Sequence, residues 1–350
     1  MVAGDDLTGS LLDHAVALRR YQNGLVGETS GLFAEVGERL KALLLRLDPT
    51  AVLPGWLPAR LRRLTDASAE LLASTYADVA RLLGDRLVTL GEVESEFAAR
   101  LLERTASGVS IRVHQSGVGV RQWRAIVLED PIQGAVTKDW WAQQEASARF
   151  AFRRQIQLGM ADGEGIDAIV RRVRGRAIKP GVYQGGVIPT STNEAAGVVR
   201  TAVNQIATRA QKDTYEANGD ITKEYIYTAT LDDRTTPICR SLDGRRFRYK
   251  DGPMPPQHWG CRSSIRPVID WEAEGLKAPP PGQRAAQGGP VPATWDYTTW
   301  LRAQSQEVQD RILGPARAKL FRAGTVTLRD LVRQDGRQYT LEQLRERLAS

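Results

Sequence analysis

Apolar residues recur at helical spacing over the first hundred positions. Leu7, Leu11, Leu12, Ala15 and Leu18 form one stripe, which the pattern ends at Asn23-Gly24. Leu32, Phe33, Val36, Leu40, Leu43, Leu44 and Leu47 form a second, stopped by Asp48-Pro49. After a turn between Pro54 and Pro58, a third runs through Leu61, Leu64, Leu71, Leu72, Tyr76, Val79 and Leu83. A fourth extends from Leu87 to Leu102. Stripes of this kind predict antiparallel helices that pack on each other or on a partner, over residues 1–106.

The pattern then becomes mixed, over 107–270. Val109, Ile111 and Val113 alternate with polar residues like a strand, and Val118 to Val120 continue that tendency. Thr137 to Leu158 reads as helix. Ile166, Ile169, Val170 and Val173 predict a short amphipathic helix, opened by the Asp162-Gly163-Glu164 turn. A glycine-rich loop follows, then a long helix from about Asn193 to Ala217, then a strand in Glu224 to Thr230. Residues 271–292, with Pro279-Pro280-Pro281-Gly282 and Gly288-Gly289-Pro290, read as a linker. Trp295, Tyr297, Trp300, Leu301, Val308, Ile312, Leu313 and Leu320 predict a small helical tail over 293–350. The expected class is α+β and helix-rich, with no internal repeat.

Length and composition allow two or three domains and at least one substantial core. A net charge of +7 suits a nucleic-acid neighbour. The start has acidic residues where a signal peptide carries basic ones, and its apolar run is broken by Asp13 and His14. No window reaches the roughly 18 apolar residues that span a bilayer. Two cysteines point to a reducing compartment rather than a disulfide scaffold. A soluble protein made in a cytoplasm is expected.

Both cysteines lie in one short segment. Cys239, His258 and Cys261 are three soft-metal donors, the last two in an H-x-x-C turn that suits zinc. A fourth ligand would come from Asp232, Asp233 or Asp243; an open fourth position would hold water and permit hydrolysis. Free buried thiols and a Cys239–Cys261 disulfide are the competing readings. Asp232, Arg234 and Thr235 also fit a capped turn in which arginine clamps a carboxylate, and Leu242-Asp243-Gly244 fits a tight hairpin between two short strands. Pro253, Pro255 and Pro256 stiffen the approach to His258. His14 reads as a surface or interface residue, and His114 has no evident partner. Gly181 to Gly186 is not a phosphate loop, because no Gly-Lys-Ser/Thr follows. Arg171, Arg172, Arg174, Arg176 and Lys179 form a basic cluster that either contacts phosphate or ends a helix in solvent.

Taken in order, these residues resemble the phage Mu F-like minor head proteins, the head morphogenesis family. The resemblance runs from Val199-Arg200-Thr201-Ala202-Val203-Asn204 through Leu231-Asp232-Asp233-Arg234-Thr235 and Pro237-Ile238-Cys239. It continues in Leu242-Asp243-Gly244, Pro255, His258 and Gly260-Cys261-Arg262, with Arg174-Gly175 and Leu313-Gly314-Pro315 at its flanks. It covers roughly residues 137–345. It implies a minor capsid protein of a tailed phage, inside the head near the portal, with the portal or major capsid protein and non-specifically bound double-stranded DNA as partners. Virion location, after assembly in the host cytoplasm, follows from the same resemblance. Similar proteins often carry extra cysteines where Thr236 and Ser263 stand here. The alternatives are a metal-dependent hydrolase of nucleic acid or cell wall, and a non-sequence-specific DNA-binding protein.

Overall fold

The computed structural model describes residues 3–46, 58–105, 113–179, 182–271, 278 and 282–349. The fold is α+β and helix-rich, with small antiparallel sheets, as the hydrophobic pattern predicts. The helices are α1 (Ala3–Arg46), α2 (Pro58–Thr105), α3 (Val120–Glu129), α4 (Thr137–Ala161), α5 (Ile166–Arg174), α6 (Val187–Ala217), α7 (Pro237–Leu242), α8 (Tyr297–Arg302), α9 (Gln306–Leu313), α10 (Pro315–Arg322) and α11 (Leu341–Ala349). The strands are β1 (Arg176–Lys179), β2 (Val182–Gln184), β3 (Glu224–Thr228), β4 (Arg246–Arg248), β5 (Ser264–Val268), β6 (Gln283–Arg284) and β7 (Val291–Pro292). They form two compact units. One comprises Met1–Arg19, Leu90–Gly119 and Asn204–Ser350; the other comprises Arg20–Thr89 and Val120–Val203.

In the second unit, helix continuity exceeds what the stripes predict. Helix α1 passes through Asn23-Gly24 and α2 passes through Gly84 without a break. An interior glycine costs a helix only about 1 kcal/mol. Gln22 and Leu25 flank the first site, Leu83 and Leu87 the second, and all four are buried, so packing outweighs the local penalty. Phe33 meets Tyr76 edge-on at 5.2 Å, and Trp141 of α4 completes that core. The glycine-rich stretch holds a strand pair that periodicity missed, β1 against β2, with Ala177 opposite Tyr183. Gly175 at φ +86° and Gly186 at φ +85° lie at its base, where a Cβ on Gly175 would run into the Gly185 backbone and one on Gly186 into the Gly175 backbone. Helix α6 accordingly starts at Val187 rather than near Asn193.

The expected strand at Val109 to Val113 falls mostly on residues 106–112, outside the described ones. Val113 is not in a strand, and Val120 opens α3, with Trp123 fully buried. The Asp48-Pro49 stop and most of the Pro54–Pro58 turn also lie outside.

The first unit holds the sheet β4-β3-β5, antiparallel throughout with β3 at its centre. Alternation places Tyr225 and Tyr227 on the buried face, in a core with Tyr215, Ile221, Tyr249, Ile265 and both cysteines. A second core gathers Tyr297, Trp300, Leu301, Leu313, Phe321, Leu331 and Leu344 around Leu231, three residues past the end of β3. Within the stretch read as a linker, residues 282–292 pair as β6 and β7, and Ala286 bridges to Leu231. Residues 272–277 and 279–281 of that stretch lie outside the description. His14 stacks on Phe97 at 3.5 Å and pairs with Glu94, which also accepts from Gln211. The backbone of His114 exchanges two hydrogen bonds with the Asn218 amide.

Candidate functional site

Three segments of the first unit meet at the core that holds Tyr225, Tyr227 and Ile265. Cys239 sits in α7, which begins with Pro237 at a position where a missing N–H costs nothing. His258 lies in the proline-rich loop between β4 and β5, and Cys261 stands just before β5. The Cys239 sulfur is 3.3 Å from His258 Nε2 and 3.8 Å from the Cys261 sulfur. All three donor atoms lie within 4.8 Å of one another. Both cysteines are buried and free of a disulfide.

The surroundings orient these donors. His258 Nδ1 donates to the Trp259 carbonyl at 2.9 Å, which turns Nε2 toward the sulfurs. The Cys261 N–H donates to the His258 carbonyl at 3.1 Å and closes the turn predicted from H-x-x-C. The Tyr227 hydroxyl is 3.3 Å from the Cys239 sulfur. The hydrogen bond between the two sulfurs splits their acidities. It raises Cys239, with burial adding to the rise, and it holds Cys261 well below the ordinary thiol range against burial, helped by His258 and by backbone N–H groups. Burial pulls the His258 imidazole down, but hydrogen bonds to Cys261 and Trp259 outweigh it and leave it raised.

Asp232 is not among the converging donors. Its carboxylate is held bidentately by Arg262, with one contact at 2.7 Å, and also accepts from Thr235 Oγ1 at 3.0 Å and the Arg234 N–H at 3.1 Å. The clamping guanidinium comes from Arg262, outside the turn, whereas Arg234 enters through its backbone N–H. Burial works to raise the Asp232 carboxyl, and the Arg262 guanidinium, Thr235 and the Arg234 N–H together outweigh it, leaving it below its ordinary value. Asp233 turns outward to Arg311.

Asp243 departs from the hairpin reading. Leu242 ends helix α7 rather than a strand, and Gly244 at φ +77° leads into β4. The Asp243 carboxylate, with no exposed surface, accepts from the Ala229 and Tyr297 N–H groups at 2.6 Å each and from Arg284 at 3.1 Å. Burial raises its carboxyl in spite of these donors. Arg284 and Tyr227 are the two members of this region that sequence reasoning missed. The period-two pattern around Tyr225 could have shown Tyr227; nothing local marks Arg284.

Arg200 and Thr201 belong to the part of α6 in the other unit. Thr201 donates back to the Gly197 carbonyl and the Arg200 carbonyl accepts from Gln22, so both serve helix packing. In the basic cluster, Arg172 is tied to Glu164 and Asp162, and Arg174 pairs with Glu38 over the Tyr183 ring. Arg171, Arg176 and Lys179 are exposed.

No curated protein and no solved structure matches the chain. A family model does match, over residues 151–266, about a third of the length and the part that contains Asp232, Cys239, Asp243, His258, Cys261 and Arg262. Residues 151–266 are therefore similar to the family described as Phage Mu protein F like protein, the family that the order of the motifs also resembles.

Proposed function

We propose that this chain is a minor head protein of a tailed bacteriophage, held inside the head near the portal and serving capsid assembly and DNA packaging or delivery. The match of residues 151–266 to the Mu F-like model carries the reading. The long amphipathic helices α1 and α2 supply surface for docking on a portal or major capsid protein. The net charge of +7 suits a shell filled with phosphate. Arg171, Arg176 and Lys179 are the cations of the basic cluster left facing solvent, whereas Arg172 and Arg174 are committed to carboxylates. DNA contact through such cations reads backbone rather than sequence.

A structural role is favoured over a hydrolytic one. The carboxylates that a metal-assisted hydrolysis at the cysteine–histidine cluster would draw on, Asp232 and Asp243, are engaged by Arg262 and Arg284. Mass spectrometry of purified procapsids and virions tests the proposal, with crosslinking to portal and capsid proteins. The chain is expected in both particles with crosslinks to one of them. Its absence from both would overturn the reading.

A further inference from the structure

We propose that Cys239, His258 and Cys261 bind one zinc ion, which fastens α7, the proline-rich loop and the start of β5 to one another. The inference does not depend on the head-protein reading, since it concerns only how this domain is held.

The spacing of the donors argues for it. A tetrahedral zinc with Zn–S bonds of about 2.3 Å places two thiolate sulfurs about 3.8 Å apart. The two sulfurs here are 3.8 Å apart. Nitrogen and sulfur on the same ion lie about 3.6 Å apart for a Zn–N bond of about 2.05 Å. The measured separation of His258 Nε2 from Cys239 is 3.3 Å, close to that edge.

The support around the donors is of the kind a metal needs. A ligating histidine usually gives its other ring N–H to a carbonyl or carboxylate, and His258 gives Nδ1–H to Trp259. The Tyr227 hydroxyl contacts the sulfur of Cys239. Two soft sulfurs and an imidazole, with no carboxylate converging on them among the described residues, select zinc over magnesium or calcium. Three protein ligands leave one position of the usual four for a small ligand such as water, and with Asp232 and Asp243 held by Arg262 and Arg284 the role proposed for the ion is to fasten the fold, not to hydrolyse. Cys239 and Cys261 are 22 residues apart, so a bound ion closes a long stretch of chain and its binding free energy adds to folding.

The test uses the full-length protein, purified under reducing conditions and reconstituted with zinc alone, with metal content measured by mass spectrometry. One zinc per chain is expected in the wild type, and loss of zinc in the Cys239→Ser/Cys261→Ser variant. Reconstitution with cobalt should give a thiolate-to-metal charge-transfer band that the same variant lacks. Should that variant fail to fold, Tyr227→Phe keeps all three ligands and is expected to weaken zinc binding roughly 10-fold, as loss of an outer partner does. Chelation should lower the wild-type melting temperature. Three outcomes would each overturn the proposal: reduced wild-type protein that takes up no zinc, a folded double variant that still binds it, or native protein with Cys239 and Cys261 joined as a disulfide.

Discussion

Replacing Asp243 tests how the segment matched by the Mu F-like family model is joined to the residues beyond its boundary. Asp243 lies inside the matched segment, while Arg284 and Tyr297, two of its partners, lie outside it. Asp243→Ala removes the acceptor of two buried N–H groups, those of Ala229 and Tyr297. Each orphaned N–H costs about 1–3 kcal/mol. The change also strips Arg284 of its counter-ion, and breaking one side of a buried pair costs about 3–5 kcal/mol. The two costs overlap, because Arg284 keeps the carbonyls of Trp295 and Ala229. The expected loss is therefore about 4–6 kcal/mol, a large part of the roughly 5–15 kcal/mol that holds an ordinary domain together. Asp243→Asn retains one acceptor oxygen and should lose about 2–4 kcal/mol. Urea unfolding followed by tryptophan fluorescence reads the effect, since Trp295 and Trp300 adjoin the site. In a double-mutant cycle of Asp243→Asn with Arg284→Met, the pair should show a coupling of about 1–3 kcal/mol. An Asp243→Asn protein within about 0.5 kcal/mol of wild type would refute the reasoning, because it would make the site no different from an ordinary surface position.

The Asp232–Arg262 clamp carries a pH signature. Asp232 is depressed in the folded state below its ordinary value of 3.8, so its contribution is present above that pH and is lost as the pH falls through and below it. Asp232→Asn should cost about 1–2 kcal/mol at pH 7 and nothing in strong acid, measured by urea unfolding at both. Charge reversal at Arg176 and Lys179 should lower the salt slope of DNA binding by about 2, at about 0.9 per phosphate contact, in fluorescence anisotropy. Reversal at Arg172 should instead act through stability, as its guanidinium already holds Glu164 and Asp162. Trp300→Ala, at a fully buried ring edge-on to Tyr297, should cost about 3–5 kcal/mol and lower the melting temperature without touching the cysteine–histidine cluster.

By itself the sequence determined the features that depend on neighbours within a few positions. The apolar stripes give helices α1, α2 and α4 to α6, the alternation around Tyr225 gives β3, and the Asp232-to-Thr235 turn is readable because its hydrogen bonds span two or three residues. The order of the motifs likewise indicated the similarity of residues 151–266 to the Mu F-like family. Tertiary structure decided which groups meet across long stretches of chain. Arg284 reaches Asp243 from 41 residues away, Arg262 reaches Asp232 from 30, and Glu38 takes Arg174 out of the exposed basic set. It also carried α1 and α2 through their glycines, since burial of the flanking side chains outweighs a local propensity cost. Periodicity records which face of an element is buried; it holds no record of the partner that buries it, and for the charged groups of this protein the partner sets the role.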